Sequence, residues 1–250
     1  MGLGNRGNDC CVNTALQLLL CIAELQVGGG SQCLFRAALR EAGNAKEGDI
    51  LVRPHTAIWA CVQEFTGVSP SESLQCDLYD FLAFCLQGLS ADSALPQLLG
   101  LSLPRKHYFI LCLELAATLE TALSRWASQE QCAFPIERSS PYLLIAFKRL
   151  KWVNGRPYKR TEFVNFPERL NLAPFHTHPN LHNSYSLIAV AIHHGDTCDF
   201  GHYSLFFKSA HPISRWLHAN DASVRAVSWR WVKRQQAYCL LYKSSTNLND

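Results

Sequence analysis

The chain has 250 residues, 48% hydrophobic and 17% charged, with a formal net charge of +3. That length supports one substantial core, and the weak, scattered positive charge excludes the basic stripe with interleaved aromatics that nucleic-acid binding requires. The longest apolar stretch, Ala15 to Leu25, is interrupted by Gln17 and Glu24 and is too short to span a bilayer, so no membrane partner is expected.

The predicted elements begin with a helix capped by Asn13 and Thr14 and running to about Gln26, where Gly28-Gly29-Gly30 ends it. Further helices are predicted over Cys33 to Ala42 and, beyond Pro54, over Thr56 to Phe65. From Asp77 to Leu89 the residues Leu78, Phe81, Leu82, Cys85 and Leu86 share one face at helical spacing, with Asp77 and Asp80 opposite. The second half changes character. Tyr108 to Leu115 and Tyr142 to Lys148 combine aromatic and branched residues as strands do, with a short helix from Thr118 to Trp126 between them. Strands are also predicted at Glu162 to Asn165, Tyr185 to His194, Tyr203 to Lys208, Arg215 to Ala219 and Ala237 to Tyr242. Helices first and strands later give an α+β fold with two lobes, and a cleft between them can bring together residues from the two ends of the chain.

Eleven cysteines, an odd number at irregular spacing, and an opening Gly-rich turn in place of a secretory leader indicate a reducing, intracellular setting, cytoplasmic or nuclear. Arg6 stands where a myristoylation signal wants Ser or Thr. Among the cysteines, Cys10 stands at the start of the first apolar helix, where free backbone N–H groups and the positive end of the dipole stabilise a thiolate. An imidazole completes such a site by activating the thiol and later protonating a leaving amine. His202 fits among ten histidines: Gly201 lets the backbone pass close to a substrate, and Tyr203 starts a strand that holds the ring. Asn220 and Asp221 follow a strand that can run beside it, and either an amide oxygen or a carboxylate can accept the ring's far N–H. Asn5, in the turn ahead of the thiol, can donate to a developing oxyanion; losing one such donor costs on the order of 10²–10³ in turnover.

Several residues have plainer readings. Cys11 reads as a small buried hydrophobe. The run His176, His178 and His182 reads as a solvated loop in preference to a metal site, and His193 and His194 as structural or substrate-lining. The basic cluster from Lys148 to Arg160 reads as a solvated hairpin, and Trp229 with Trp231 as sheet packing.

The quoted segments resemble the ubiquitin-specific proteases, papain-like cysteine proteases with thumb, palm and fingers. That family opens with G-L-x-N-x-G-N-T-C-Y-M-N-S-x-L-Q, and Gly2 to Gln17 follows it closely, placing Cys10 on the nucleophile and Asn5 on the oxyanion donor. Its second box, Q-Q-D-A-x-E-F, is similar to Gln75-Cys76-Asp77-Leu78-Tyr79-Asp80-Phe81, which puts Gln75 and Asp77 at the substrate tail, with Gly201 and Tyr203 beside it. Leu144 to Leu150 resembles the L-x-x-x-L-K-R-F strand and Phe166 to Leu172 the F-P-x-x-L-D-L segment. Gly201-His202-Tyr203 and Trp216 to Val224 then place His202 on the base, Asn220 on the third residue and Asp221 on the carboxylate after it.

The resemblance implies one catalytic domain over residues 1–250, with a helical thumb-like lobe in 1–100 and a β-rich palm-like lobe in 101–250. It implies a thiol-dependent deubiquitinase acting after the Gly-Gly terminus of ubiquitin, the partner being ubiquitin or a ubiquitin-like modifier conjugate. The alternatives are the same chemistry on a ubiquitin-like modifier, or a dead ubiquitin-binding module. No cofactor and no metal are expected: the zinc ribbon of many members needs two Cys-x-x-Cys pairs, and the sequence has none. The short segments from Leu95 to His107 and from Gln129 to Tyr142 imply reduced fingers, and so abrupt a start at the nucleophile box implies excision or compaction. Cys11 replaces the usual aromatic and Asp9 the usual Thr; a carboxylate there would disfavour a nearby thiolate.

Overall fold

The structure, a computed structural model, describes residues 2–3, 5, 9–27, 50–51, 63, 67, 76–89, 95–103, 106–129, 136–176, 183–197, 200–209 and 215–245. Strand β1 (Gly2–Leu3) precedes helix α1 (Cys10–Leu20), a short α2 (Glu24–Val27) and β2 (Ile50–Leu51), which pairs parallel to β1. Helix α3 (Leu78–Leu89) buries Leu78, Phe81, Leu82, Cys85, Leu86 and Leu89, the face that its spacing predicts. The helix expected over Cys33 to Ala42 lies outside the described residues, as does that over Thr56 to Phe65 apart from Gln63, which is helical and accepts from Gly67 N–H at 2.8 Å.

After α4 (Leu95–Leu98) come β3 (Leu101–Leu103), β4 (Lys106–Tyr108), β5 (Ile110–Leu113), α5 (Leu119–Gln129), β6 (Arg138–Ser139) and β7 (Tyr142–Phe147). The hairpin β8 (Leu150–Val153) and β9 (Arg156–Lys159) leads to β10 (Arg169–Asn171), β11 (Ser184–His194), β12 (His202–Lys208), β13 (Trp216–Asn220), β14 (Ser223–Val227), α6 (Trp229–Val232) and β15 (Ala237–Ser244). The main sheet runs β14-β13-β12-β11-β15-β7-β5, with β10 also on β11, and is antiparallel except for β5 against β7.

That sheet is buried on both faces, because alternate residues of its strands enter two different cores. Ala189, Ala191, Tyr203, Leu205, Cys239 and Leu241 pack toward α1 and α3. Val190, Ile192, Phe206, Leu240 and Tyr242 pack on the other side with Leu119, Leu123 and Trp126 of α5. Helix α1 explains the first core: every residue from Cys10 to Leu19 is buried, so it is an interior helix rather than an amphipathic surface one. Residues of the first hundred and of the last hundred and fifty therefore share one core, and the chain has an α+β fold.

Four expectations are corrected. Helix α1 starts at Cys10, not after Asn13, and stops at Leu20. Tyr108 to Leu115 is not one strand: β4 joins a small sheet with β3 and β6, while β5 joins the main sheet. Glu162 to Asn165 forms no strand beyond a bridge from Asn165 to Thr118; the Glu162 carbonyl at its start accepts from the guanidinium of buried Arg149. Trp229 and Trp231 lie on α6, where Trp229 stacks on Trp216 at 5.5 Å while Trp231 is exposed.

The basic hairpin forms, turning through Asn154 and Gly155 at φ 51° and 73°, the pair of left-handed residues that suits a two-residue hairpin, but Arg149 and Lys159 of the cluster are buried and not solvated.

Candidate active site

Cys10 is the first residue of α1 and Asp9 its N-cap, without a side-chain cap bond. The backbone N–H of Asp9 instead donates to Asn5 Oδ1 at 3.2 Å, which ties the preceding turn to the helix start. Helix α1 packs against the strand that carries His202, and Cys10 is the largest influence holding that ring in its protonated form. His202 opens β12, and its Nε2 donates to Asn220 Oδ1 at 2.6 Å from the end of the neighbouring β13. With Nε2 engaged there, Nδ1 is the ring nitrogen that serves the thiol.

Asp221 stands 3.9 Å from His202 Nε2, too far for a hydrogen bond. Its carboxylate does something the sequence did not suggest. Oδ2 accepts from Asn5 Nδ2 at 2.9 Å and Oδ1 from Asn13 Nδ2 at 2.8 Å, so one side chain clamps the opening turn and α1 to the β13–β14 turn. Asn13, predicted as a cap, is thus spent on that clamp. Asp221 also accepts Leu3 N–H at its carbonyl and holds φ at +48°, a region that Asp tolerates better than most residues.

His194 stacks on the His202 ring at 5.8 Å between centroids, while its neighbour His193 packs on Tyr203 at 4.5 Å and Tyr203 meets Tyr238 edge-on at 5.5 Å. Both phenols point to Asp77, Tyr203 at 3.5 Å and Tyr238 in a shorter bond. The other oxygen of Asp77 accepts from Tyr79 and Asp80 N–H at 2.8 and 3.3 Å, which caps α3. Asp77 and Tyr203 are therefore joined to each other in the wall behind the cleft. Gln75 lies outside the described residues. Gly201 is small for a different reason from the one expected: a Cβ there would sit 2.1 Å from His193 Nε2 and 2.4 Å from the His194 carbonyl oxygen, so the space belongs to the protein and not to a ligand.

Sequence reasoning also missed Lys159, which is buried and donates to the carbonyls of His193 and Gly195, pinning the turn ahead of β12 to the hairpin. His176, expected in a solvated loop, is buried with neither ring nitrogen bonded to a described residue; His178 and His182 lie outside the described residues. Cys11 is buried as expected.

The imidazoles divide by charge. Hydrogen bonding to Cys10 raises His202 to about 9, helped by Asn220 and by the charges of Cys10 and Asp221 and opposed by partial burial. Burial pushes His193 and His218 down to about 4, with Lys159 the first charge to lower His193 and Arg225 the first to lower His218; burial lowers His194 as well. An unfolded His titrates near 6.5. The folded state thus holds the His202 proton more tightly than the unfolded chain, and this stabilisation is complete below about pH 6.5 and lost as pH rises through about 9. The neutral rings act oppositely: their contribution is complete above about pH 6.5 and lost as pH falls toward 4. The melting temperature is expected to peak near pH 6.5, and the alkaline decline should flatten in Cys10→Ala, whose His202 loses its main partner. Calorimetry across pH 4.5 to 9.5 checks this, and an alkaline limb unchanged by Cys10→Ala would contradict it.

The profile of a family described as "Ubiquitin carboxyl-terminal hydrolase" matches residues 1–242. Probable ubiquitin carboxyl-terminal hydrolase 16 of Schizosaccharomyces pombe is 37% identical over 108 residues, 43% of this chain and 23% of that protein. Ubiquitin carboxyl-terminal hydrolase 2 of Gallus gallus is 34% identical over 161 residues, 58% of this chain and 44% of its own length. The matched parts thus span less than half of these curated relatives. The solved SAGA Ubp8/Sgf11/Sus1/Sgf73 DUB module bound to ubiquitin aldehyde includes a chain with the same fold, at a TM-score of 0.73 and 19% identity, covering 98% of this chain and 70% of that one.

Proposed function

The chain belongs to the ubiquitin carboxyl-terminal hydrolase family, and from that premise we propose that it is a thiol-dependent deubiquitinase, cutting the isopeptide or peptide bond after the C-terminal Gly-Gly of ubiquitin. The observation that carries this reading is the His202 ring, bonded through Nε2 to Asn220 and held protonated chiefly by Cys10 at the start of α1. Cys10, as thiolate, attacks the carbonyl carbon of the terminal glycine, and the oxyanion so formed takes a hydrogen bond from Asn5. His202, held protonated beside the thiolate, gives its proton to the leaving amine as the C–N bond breaks. The neutral ring then draws a proton from water, which attacks the thioester and releases the carboxylate and the Cys10 thiolate, His202 again carrying the proton. Asn220 keeps the ring in plane, and Asp221 keeps Asn5 aimed.

Cys10, Cys11, Cys21, Cys76, Cys85, Cys112 and Cys239 are free thiols, which fits a reducing, intracellular setting in cytoplasm or nucleus. Among the described residues no helix is long and apolar enough to cross a membrane.

Incubation with ubiquitin bearing a C-terminal electrophile, and in parallel with ubiquitin-like modifiers bearing the same group, tests the assignment. A covalent adduct to ubiquitin that disappears in Cys10→Ala is the expected result. An adduct confined to another modifier would move the substrate, and a folded protein that labels with none would remove the enzymatic reading.

A further inference from the structure

Beside the His202 ring, two imidazoles that hydrolysis does not use meet at a single hydroxyl. Ser204 follows His202 by two residues on β12 and so shares its face of the sheet. Its Oγ lies 2.9 Å from His194 Nε2 and 3.0 Å from His218 Nε2, which joins β11 and β13 through one atom. Ser204 and His218 are buried, at 1% and 6% exposure, whereas His194 is exposed and stacks on the His202 ring with 22° between the planes. An exposed imidazole ordinarily turns freely and takes a proton near pH 6.5. This one is tied at Nε2.

The hydrogen bonds assign the protons. A serine hydroxyl has one hydrogen to give, so in making these two bonds it donates to one ring and accepts from the other. His218 Nδ1 is buried without a partner among the described residues, and a buried N–H is rarely left without an acceptor. The His218 proton therefore belongs on Nε2, donating to Ser204, and the hydroxyl hydrogen goes to His194 Nε2. His194 then carries its own proton on Nδ1. Charging His194 would put a second hydrogen on Nε2, where the hydroxyl hydrogen already points. The hydroxyl would have to turn, and His218 would have to move its proton onto the stranded Nδ1.

We propose that Ser204 and His218 are positioning residues of the general acid: acting through one hydroxyl, they hold the His194 ring uncharged and nearly parallel to the His202 ring. The role of His202 in this rests on the deubiquitinase reading, whereas the state of His194 rests on the hydrogen bonds alone. A second imidazolium stacked there would repel the first and drive His202 from its place beside Asn220. The surrounding cations work in the same direction as the bonds. Burial, then His202 and the Lys159 ammonium, lower His194; burial, then Arg225, His194 and His202, lower His218. Cys10 and Asp221, the site's acidic groups, act on His202 and raise it. Positive charge thus collects on the one ring that must give a proton away.

Nitrogen-15 NMR of the imidazoles in the whole chain reads each tautomer and titration midpoint, and turnover of a ubiquitin C-terminal amide at pH 5.5 and pH 8 reads the consequence. Wild type should show His194 protonated on Nδ1 and His218 on Nε2. In Ser204→Ala, and in His218→Phe, which frees the hydroxyl to turn, the His194 midpoint should rise by roughly one pH unit, the worth of one hydrogen bond. Turnover of both variants, relative to wild type, should then fall roughly threefold to tenfold further at pH 5.5 than at pH 8. Ser204→Thr, which keeps the hydroxyl, should restore both readings. A merely structural role would lower turnover equally at the two pH values. His194 protonated on Nε2 in wild type, a midpoint unmoved in folded Ser204→Ala and His218→Phe, or equal losses at both pH values would each overturn the proposal. If circular dichroism shows Ser204→Ala unfolded, the wild-type tautomers and His218→Phe still decide. Absence of ubiquitin labelling at Cys10 leaves the ring titration readable, and an unmoved titration leaves that labelling untouched.

Discussion

Replacing Gly201 by alanine is expected to abolish turnover and to lower stability by roughly 3 kcal/mol or more, which for a chain of this size is about 6–12 °C in Tm. The added methyl would meet the His193 ring at 2.1 Å and the His194 backbone oxygen at 2.4 Å. A flexible side chain can swing away from such an overlap, but the carbonyl cannot. It belongs to β11 opposite β12, where His194 and His202 are register partners. Relief therefore means separating the two strands at the point where His202 begins. Displacement of the His193 ring carries further, since it supports Tyr203 and, through it, the Asp77 that caps α3. Thermal unfolding and turnover of a ubiquitin C-terminal amide check the prediction together. A variant that melts within about 2 °C of wild type, under 1 kcal/mol at this length, and turns over normally would show that the strands absorb the methyl.

The contrast between helices α3 and α1 shows which features the sequence carries locally. Helix α3 is legible because its apolar residues recur at helical spacing and its cap, Asp77, is a capping residue in the capping position. The start of α1 is not legible. Asp9, Asn13 and Thr14 are all capping types by local chemistry, so residue type alone does not choose among them; the helix begins at Cys10, where Asn5 secures the Asp9 N–H and Asp221 draws Asn13 into a long-range bond. The site divides in the same way. Cys10, His202 and Asn220 stand in short segments whose residue types announce chemistry. The Asp221 clamp, the two phenols on Asp77 and the Lys159 pin join residues remote in sequence through single atoms, and no spacing rule within one segment encodes such contacts. The segment Glu162 to Asn165 shows the same dependence: Phe163 and Val164 suit a strand, but the Glu162 carbonyl goes to Arg149 and the backbone of Asn165 to Ala117 and Leu119.

The clamp leads to an unequal outcome for the two residues at the end of β13. Asp221→Ala is expected to lose on the order of 10²–10³ in kcat, the cost of one misplaced oxyanion donor, whereas Asn220→Ala should lose about tenfold to a hundredfold, the worth of one hydrogen bond to a charged ring. Asn220 is exposed and holds the ring from its outer side, and the thiol and the β11–β12 register still hold His202 in its absence. The two oxygens of Asp221 hold Asn5 and Asn13 separately, and Asn13 is 3% exposed. Removing it also takes a buried amide's acceptor away, which costs about 1–3 kcal/mol of stability. Asp221→Asn should not rescue turnover, because an amide in the same place turns one donor against another donor. Asp221 is a positioning residue on this account, so Asn5→Ala and Asp221→Ala should be strongly non-additive: with Asn5 gone, there is little left for Asp221 to aim. Equal losses for Asn220→Ala and Asp221→Ala, or additive losses in the double variant, would place the work of Asp221 somewhere other than at Asn5.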